Sequence, residues 1–140
     1  MTYPNAEHVA RDLLAPVMPP HPEGLPRVVS HRPGDLTGRL PLVQAVRVGG
    51  PSRDPEDRPL VEVTLLADRD DRANGQPLAV RLQQALEGFA DNDTGLARAV
   101  DAVDVRTGPV ELDYPGQGPR AWRLVVALVT RDVEWAEGAP

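Results

Sequence analysis

The chain contains no cysteine, no lysine and few aromatic residues, and each shortage narrows what the protein could be. Without cysteine there can be no disulfide, thiolate metal site or cysteine nucleophile. Aromatic side chains make up 4% of the sequence, so we expect a core built mainly from valine, leucine and alanine. All 15 basic residues are arginine, a bias that is typical of a GC-rich coding sequence.

Concentrated positive charge and long apolar runs are also missing. The formal net charge is -6, and the arginines are scattered, which argues against a protein that grips a phosphate backbone. No apolar run approaches the roughly 20 residues that a membrane-spanning helix needs, and the first residues lack the pattern of a signal peptide. We therefore expect a soluble protein with no membrane partner and no specific nucleic-acid binding. A length of 140 residues fits one domain, residues 1–140.

The first half of the chain predicts one helix and two main strands. Asn5 is a good N-cap for a helix that runs to Ala15, where Pro16 stops it. Between Met18 and Leu40 the chain is rich in proline and glycine, with one short apolar piece, Arg27 to His31, that could be a strand. From Leu42 to Val48 the alternation indicates a strand with Leu42, Val46 and Val48 on one face. Leu60 to Ala67 alternates clearly, so we expect the two strands to pair as a hairpin.

The second half predicts a second helix and two further strands. Pro77 suits the first turn of a helix in which Leu78, Leu82 and Phe89 recur at helical spacing. Val103 with Val105 marks a third strand, and Ala121 to Val129 is apolar on both faces, which suits a central strand. We therefore expect an α/β (α+β) single domain with an antiparallel or mixed sheet of about four strands, two helices on one face and long exposed loops.

No catalytic arrangement stands out in the sequence. Ser30 and Ser52 are the only serines, and although Ser30 adjoins His31, neighbouring side chains of a strand point to opposite faces. His8, His21 and His31 have no spacing that aims two imidazoles at one metal. We predict no enzyme and no cofactor.

Possible ion and phosphate sites have simpler interpretations. The stretch from Asp68 to Gly75 departs from the spacing of a calcium loop and reads as a polar strand-to-helix connection. Asp91 to Asp93 could offer oxygens to a cation, although a solvated loop is the simpler account. The glycines at Gly49–Gly50 and Gly116–Gly118 lack the partners of a phosphate-binding loop. Glu56 and Asp57 are interpreted as surface charge.

Two long polar loops, Gly49 to Pro59 and Asp113 to Arg120, are unusual for a chain of this size. Loops on a rigid scaffold often carry recognition, and tolerated variation in loop length is an equal alternative. Trp122 alternates with core residues and is assigned to the core, whereas Trp135 lies beyond the last strand and is the better interface candidate. The candidate interface residues are Arg47, Arg53, Asp54, Glu56, Asp57, Arg58, Asp113, Tyr114 and Trp135.

The order of these segments resembles that of the tail terminator proteins of long, non-contractile-tailed (siphovirus-type) bacteriophages, particularly those of actinobacteria. The resemblance includes the run LPLVQAVRVGG at 40–50, the charged loop into RPLVEV at 58–63, the helix from Pro77 to Phe89, and PRAWRL at 119–124. The Arg-only composition agrees with such a source. The chain lacks an aromatic at 65–67 and has a longer proline-rich segment before Leu40.

The resemblance implies a virion structural protein at the head-tail junction, assembled in the host cytoplasm. Six copies would form a ring that caps the tail tube, ends its polymerisation and meets the head-side stopper or connector protein, while DNA crosses the lumen without being read. Two alternatives stay open. One is a small ligand-binding or enzymatic α/β domain, signalled by a pocket that gathers His31 or the acidic loops. The other is nucleic-acid binding, which would need Arg47, Arg53, Arg58, Arg120 and Arg123 to converge on one face.

Overall fold

The computed structural model describes residues 3–53, 56–70, 72–112 and 118–131. Two α-helices and seven strand segments follow one another along the chain, with short 3₁₀ turns after each helix. The elements are α1 (Ala6–Leu14), β1 (Val28–Val29), β2 (Leu42–Gly49), β3 (Ser52–Arg53), β4 (Glu56–Asp57), β5 (Leu60–Ala67), α2 (Arg72–Glu87), β6 (Val100–Leu112) and β7 (Arg120–Arg131); the 3₁₀ turns are Ala15–Val17, Phe89–Asp91 and Gly95–Ala99.

The first helix forms as the sequence predicts. The Asn5 side chain accepts hydrogen bonds from the backbone N–H groups of Glu7 (2.9 Å) and His8 (3.2 Å), which would otherwise lack an acceptor. One face of α1 is fully buried against the sheet and contributes Val9, Ala10, Leu13 and Leu14 to the core. The N-cap and the helical spacing of the apolar residues therefore determine this element locally.

The segment that the sequence assigns to a long exposed loop, Gly49 to Pro59, instead continues a hairpin. The last pair of β2 and β5 is Gly49 with Leu60. The pairing of β3 with β4 continues in that same register. A one-residue register shift between Arg47 and Gly49 makes Val48 the extra residue of a β-bulge. Gly50 has a φ of 97°, and a Cβ there would collide with the Arg58 carbonyl, so the kink requires glycine. The exposed-loop prediction is wrong because backbone pairing resumes beyond the kink.

Pairing with β7 joins these segments into one mixed sheet. β7 pairs with β5 and then, in unbroken register, with β4, while β6 pairs with its other side. β1 adds a short parallel edge beside β2, which confirms the strand expected between Arg27 and His31. The predicted count of about four strands is too low: four of the seven segments are long, and the bulge and kink divide the hairpin.

Both helices pack on the same face of the sheet, so the architecture is α+β. The main core lies between α1, α2 and the inward side chains of β2, β5 and β7, with the fully buried Trp122 its largest member. Trp122 is thus a core residue, as the alternation predicts. In β2, Leu42 and Val46 share one face, as the alternation predicts. That face looks away from the helices, whereas Val43 and Ala45 face them.

Helix α2 begins earlier than predicted. It starts at Arg72, so Pro77 lies inside the helix and not in its first turn. The extra residues gain contacts with the sheet: Gly75 lies against the indole ring of Trp122, and the Gln76 side chain accepts a hydrogen bond from Trp122 Nε1 (2.7 Å). These tertiary contacts stabilise the turn that precedes Pro77, although the proline has no N–H to donate to that turn.

Strand β6 is longer than the predicted strand around Val103 and Val105. It covers thirteen residues, and its pairing with β7 shifts register three times. The shifts interrupt the period-two alternation by which a strand is recognised from sequence. No helix in the described residues is long and apolar enough to cross a membrane.

The proline-rich segment before β2 folds over one end of the other sheet face. Leu36 and Leu40 pack there against Leu42, Leu66 and Ala121. The Arg27 guanidinium holds the segment together by donating to four backbone carbonyls, those of Pro19, Pro20, Arg39 and Pro41. We call this side of the sheet, opposite the helices, the outward face. Beyond the proline-rich segment, no described helix or loop packs over it.

Candidate interaction surface

Arg47 and Asp57 form a bidentate ion pair across the kinked hairpin. Arg47 Nη1 lies 2.7 Å from Asp57 Oδ2, and Nη2 lies 2.9 Å from Oδ1. The same guanidinium donates to the carbonyls of Gly49 (3.2 Å) and Gly50 (3.0 Å). Asp57 is 1% exposed, so the Arg47 guanidinium pairs with a carboxylate that is almost completely buried. Five hydrogen-bond donors in a planar fork allow arginine to bind a carboxylate and two carbonyls together.

This pair corrects the interpretation of Asp57. Asp57 is buried and is neither surface charge nor an interface residue, whereas the Arg47 side chain is 31% exposed and its interface assignment stays a prediction. Both side chains lie on the helix-facing side by ordinary alternation. Arg47 follows the buried Ala45 at a spacing of two, and Asp57 keeps the face of Val61 because β4 and β5 share one unbroken register with β7. Glu56 and Arg58, by contrast, form an exposed ion pair of 3.0 Å and stay available for contact with a partner.

Glu7 closes the free edge of β2. Among the described strands, β1 pairs only with Val43 and Gln44, so none of them pairs with the N–H of Arg47 on that side. The Glu7 carboxylate, in the first turn of α1, accepts a hydrogen bond from it at 3.0 Å. The device blocks strand addition at this edge of the sheet, which would otherwise offer an unpaired donor to another chain.

The remaining predicted interface residues lie outside the part of the chain that the structure describes. Asp54, Asp113, Tyr114 and Trp135, and the side chain of Arg53, lie outside the described residues. The loop from Asp113 to Arg120 is described only from Gly118 onward. These predictions therefore stay as the sequence makes them.

The arginines named for nucleic-acid binding do not form one basic face where their side chains are described. Arg47 pairs with Asp57, Arg58 with Glu56, and Arg120 with Glu111 at 2.7 Å. Arg47 and Arg120 lie on the helix side of the sheet, whereas Arg123 lies on the outward face. Each of the three paired cations has a neutralising carboxylate, which weakens the attraction for a phosphate backbone.

The outward face of the sheet carries a group of aliphatic side chains beyond the part covered by the proline-rich segment. Alternate residues of three adjacent strands contribute half-buried side chains: Val46 from β2, Leu60 from β5, and Val125, Ala127 and Val129 from β7. At its border Val48 and Val110 are 52% and 47% exposed. We call the five half-buried residues the aliphatic patch. Contiguous apolar surface of this kind marks sites of interaction with other proteins.

Part of the aliphatic patch forms the floor of an open groove of about 360 Å³. Leu60, Ala127 and Val129 line its base, and Arg58 and Arg106 stand at its rim. Arg106 pairs with Asp104 at 2.7 Å, so the rim carries both signs of charge. An apolar floor with a charged rim is the composition of a protein-protein contact.

The residues named for a ligand site are dispersed. A second groove, of about 450 Å³, includes Asp68 from the acidic connection, together with Arg69 and Leu36. His31 lines neither this groove nor the groove over the patch, and His21 has a structural role: Nε2 bonds the Gly38 carbonyl (2.8 Å), and Nδ1 accepts from the N–H of Glu23 (2.9 Å). Among the described residues, no three His, Asp or Glu side chains are grouped to hold a metal ion.

The Asp35 carboxyl has a lowered pKa. The backbone N–H of Thr37 donates to Asp35 at 2.9 Å and, with the Thr37 side chain, lowers the pKa of that carboxyl below its ordinary value. Asp35 is fully exposed in a turn of the proline-rich segment, so the shift reflects a local turn and not a catalytic environment.

Searches against protein-family models and against curated proteins each return no match for this chain. The resemblance to tail terminators therefore stays a prediction made from the residue pattern.

Sequence reasoning missed the aliphatic patch because it read the last strand as buried on both faces. Apolar residues at consecutive positions of Ala121 to Val129 do indicate a central strand, and β7 is central. Its inward residues are fully buried, whereas Val125, Ala127 and Val129 are only partly so. The apolar residues on the second face of this strand are visible in the sequence. Their pattern does not show whether another element of the same chain covers them.

Proposed function

We propose that this protein is a structural component of a phage virion that caps the tail tube as a ring of six copies, ends tube polymerisation and joins the tail to the head-side connector. The observation that carries the proposal is the aliphatic patch on the outward face, which no described element covers. A protein that works by assembly needs such a surface, and the identity of its partners follows from the resemblance to tail terminators.

The edges of the sheet favour contact through its faces and loops over strand addition. On one side, Glu7 occupies the free donor of β2. On the other, β6 carries three register irregularities and Pro109, which has no N–H to offer a further strand. Bulges and prolines are the usual means by which edge strands avoid pairing with other chains. We therefore assign the contacts between copies to the patch and to the hairpin that borders it.

The charge balance supports passage of DNA without binding. The chain has a net charge of -6, and Arg47, Arg58 and Arg120 are each neutralised by a carboxylate. A lumen without a concentration of free cations would not hold the duplex. A ring whose lumen proved to be lined by unpaired arginines would contradict this part of the proposal.

The test is to mix the purified protein with the tail-tube protein encoded in the same genome. We expect a ring of six copies at tube ends by electron microscopy, and tubes that stop lengthening once it is added. Tubes that grow to the same length with bare ends would overturn the proposal and favour a ligand-binding or enzymatic role.

Two variants connect that test to the patch and its border. Val125→Glu places a charge in the patch, and Arg58→Glu reverses a charge at the groove rim; each should fold normally and reduce the fraction of capped tubes. Val80→Glu, on the exposed side of α2, is the matched control and should cap as the wild type does. Equal capping by all three would show that the outward face is not the assembly surface.

A further inference from the structure

Arg123 and Glu62 are the charged side chains at the centre of the outward face. Arg123 lies between the buried Trp122 and Leu124, and Glu62 between the buried Val61 and Val63, so both side chains leave the sheet on the side away from the helices. Each is half-buried. Their neighbours in the same two rows of the sheet are the aliphatic Val46, Val125 and Val110 and the polar Gln44, Thr64 and Thr107.

Neither charge is paired within the described part of the chain. Arg123 Nε is shielded from solvent and has no hydrogen-bond partner there, and no ion pair joins Glu62 to another described residue. Thr64 stands opposite Arg123 and Val125 opposite Glu62, so the two charged residues are diagonal neighbours on adjacent strands. Diagonal neighbours lie ~7–8 Å apart, within reach of long side chains, yet here they do not meet.

A surface with one unpaired cation and one unpaired anion side by side is complementary to a second copy of itself. A two-fold rotation brings the arginine of each copy opposite the glutamate of the other, which is how a self-complementary interface is built. The patch residues Val46, Val125 and Ala127 would then pack against their counterparts, as the inner faces of two sheets do in a sandwich.

We infer that the free protein, before it meets a tube, forms a two-fold dimer through the outward face, with Arg123 of each copy paired to Glu62 of the other. The pairing fixes the orientation of the two copies more than it adds affinity. Any other orientation would bring like charges together in a desolvated interface, which is strongly unfavourable. Dimerisation would keep the aliphatic patch covered until assembly. The inference concerns the free protein and does not require tube capping.

The experiment is sedimentation velocity on four full-length proteins: the wild type, Arg123→Glu, Glu62→Arg and the double variant. The wild type should sediment as a dimer that dissociates on dilution. Each single variant opposes like charges at both contacts and should dimerise at least about tenfold more weakly. The double variant exchanges the two charges and should dimerise again.

Mixing the two single variants gives the sharpest test. Arg123→Glu leaves only negative charge at positions 62 and 123, whereas Glu62→Arg leaves only positive charge at the same two positions. Opposite charges would therefore meet at both contacts, and the mixture should form a heterodimer although each component alone is weakened. Circular dichroism checks that each variant is folded. Arg81→Glu and Glu87→Arg, on exposed positions of α2, are the matched controls and should leave the dimer unchanged.

The outcomes separate this inference from the proposed function. A monomeric wild type, or a mixture that fails to associate, overturns the dimer while leaving tube capping open to its own test. A free protein that is already a ring of six supports the proposed function and overturns the two-fold dimer. A dimer whose variants behave as expected supports the inference even where tubes are not capped.

Discussion

The Asp12 carboxylate in α1 accepts a hydrogen bond of 2.8 Å from the backbone N–H of Leu96, 84 residues further along the chain. The bond fixes the start of the 3₁₀ turn Gly95–Ala99, whose first donors would otherwise lack acceptors. Gly95, with a φ of 48°, lies so close to Asp12 that a Cβ would collide with the carboxylate. One side chain of the first helix thus positions the connection into β6.

Asp12→Ala should lower the free energy of unfolding by about 1–3 kcal/mol, because the Leu96 N–H would lose its charged acceptor in a partly buried place. Chemical denaturation measures the effect. Asp93→Ala, an exposed aspartate two residues before Gly95, is the control and should change stability by less than about 0.5 kcal/mol. Equal stabilities of the two variants would mean that the bond contributes nothing net.

Removing one partner of the Arg47–Asp57 pair should be costly. Arg47→Met removes the bidentate guanidinium from the buried Asp57 carboxylate, and we expect a loss of about 3–5 kcal/mol. Arg58→Glu removes an exposed pair and should cost less than about 1 kcal/mol. Thermal unfolding of the two variants compares them directly, and a larger effect at Arg58 would contradict the burial of Asp57.

Arg47→Met combined with Asp57→Leu should recover much of that loss, because an apolar pair leaves no uncompensated buried charge. The double variant separates the requirement for charge from the requirement for packing at the kink. Stability as low as that of Arg47→Met alone would show that the carbonyl contacts to Gly49 and Gly50 are the important ones.

Gly75→Ala should destabilise the protein although alanine is the better helix former. The added methyl would overlap the Trp122 ring, which is fully buried and cannot move aside, and overpacking of this kind costs about 1–3 kcal/mol. Gly34→Ala, where a Cβ meets open space, is the control. The melting temperature and the near-ultraviolet circular dichroism of Trp122 report the change; a more stable Gly75→Ala would mean that α2 shifts freely.

Leu82→Glu should destabilise the domain by about 3 kcal/mol or more, since Leu82 is fully buried in the core between α2 and the sheet. Val80→Glu, two residues earlier and 36% exposed, should stay within about 0.5 kcal/mol of the wild type. Unfolding curves that coincide for the two variants would place Leu82 on a surface.

Asp35 should titrate below its ordinary pKa, because the Thr37 N–H favours the ionised form. A lowered pKa in the folded protein means that the ionised carboxylate stabilises the fold above the unfolded pKa, and that this contribution disappears as the pH falls through the folded pKa. Carboxyl NMR shifts compare Asp35 in the protein with the same residue in a peptide of residues 32–39. Identical midpoints would contradict the turn.

The elements with local signals were predictable. Asn5 caps α1, the spacing of Leu78 and Leu82 reports one face of α2, and the alternation in Leu60 to Ala67 reports a strand. Each signal depends on a few residues near in sequence, where capping and periodicity act directly. The start of α2 was missed because it depends on Trp122, which is distant in the chain.

The candidate site was less predictable. The sequence named Arg47 and Asp57 as surface residues because they flank a polar, turn-rich stretch, yet they form an internal pair. Arg58 and Glu56, from the same stretch, are exposed as predicted. The difference between the two pairs depends on which side of the hairpin each residue occupies, because successive side chains of a strand point to opposite faces and Asp57 falls on the helix side.

The sequence by itself determined the helices, the long strands, the aliphatic composition of the core and the lack of cysteine chemistry. Only the tertiary structure decided which face of each strand is buried, because the side-chain period of a strand is two and both faces of β2, β5 and β7 carry apolar residues. The tertiary structure also decided which apolar face stays uncovered. Periodicity in the sequence identifies an apolar face, but whether that face is covered depends on where the rest of the chain packs.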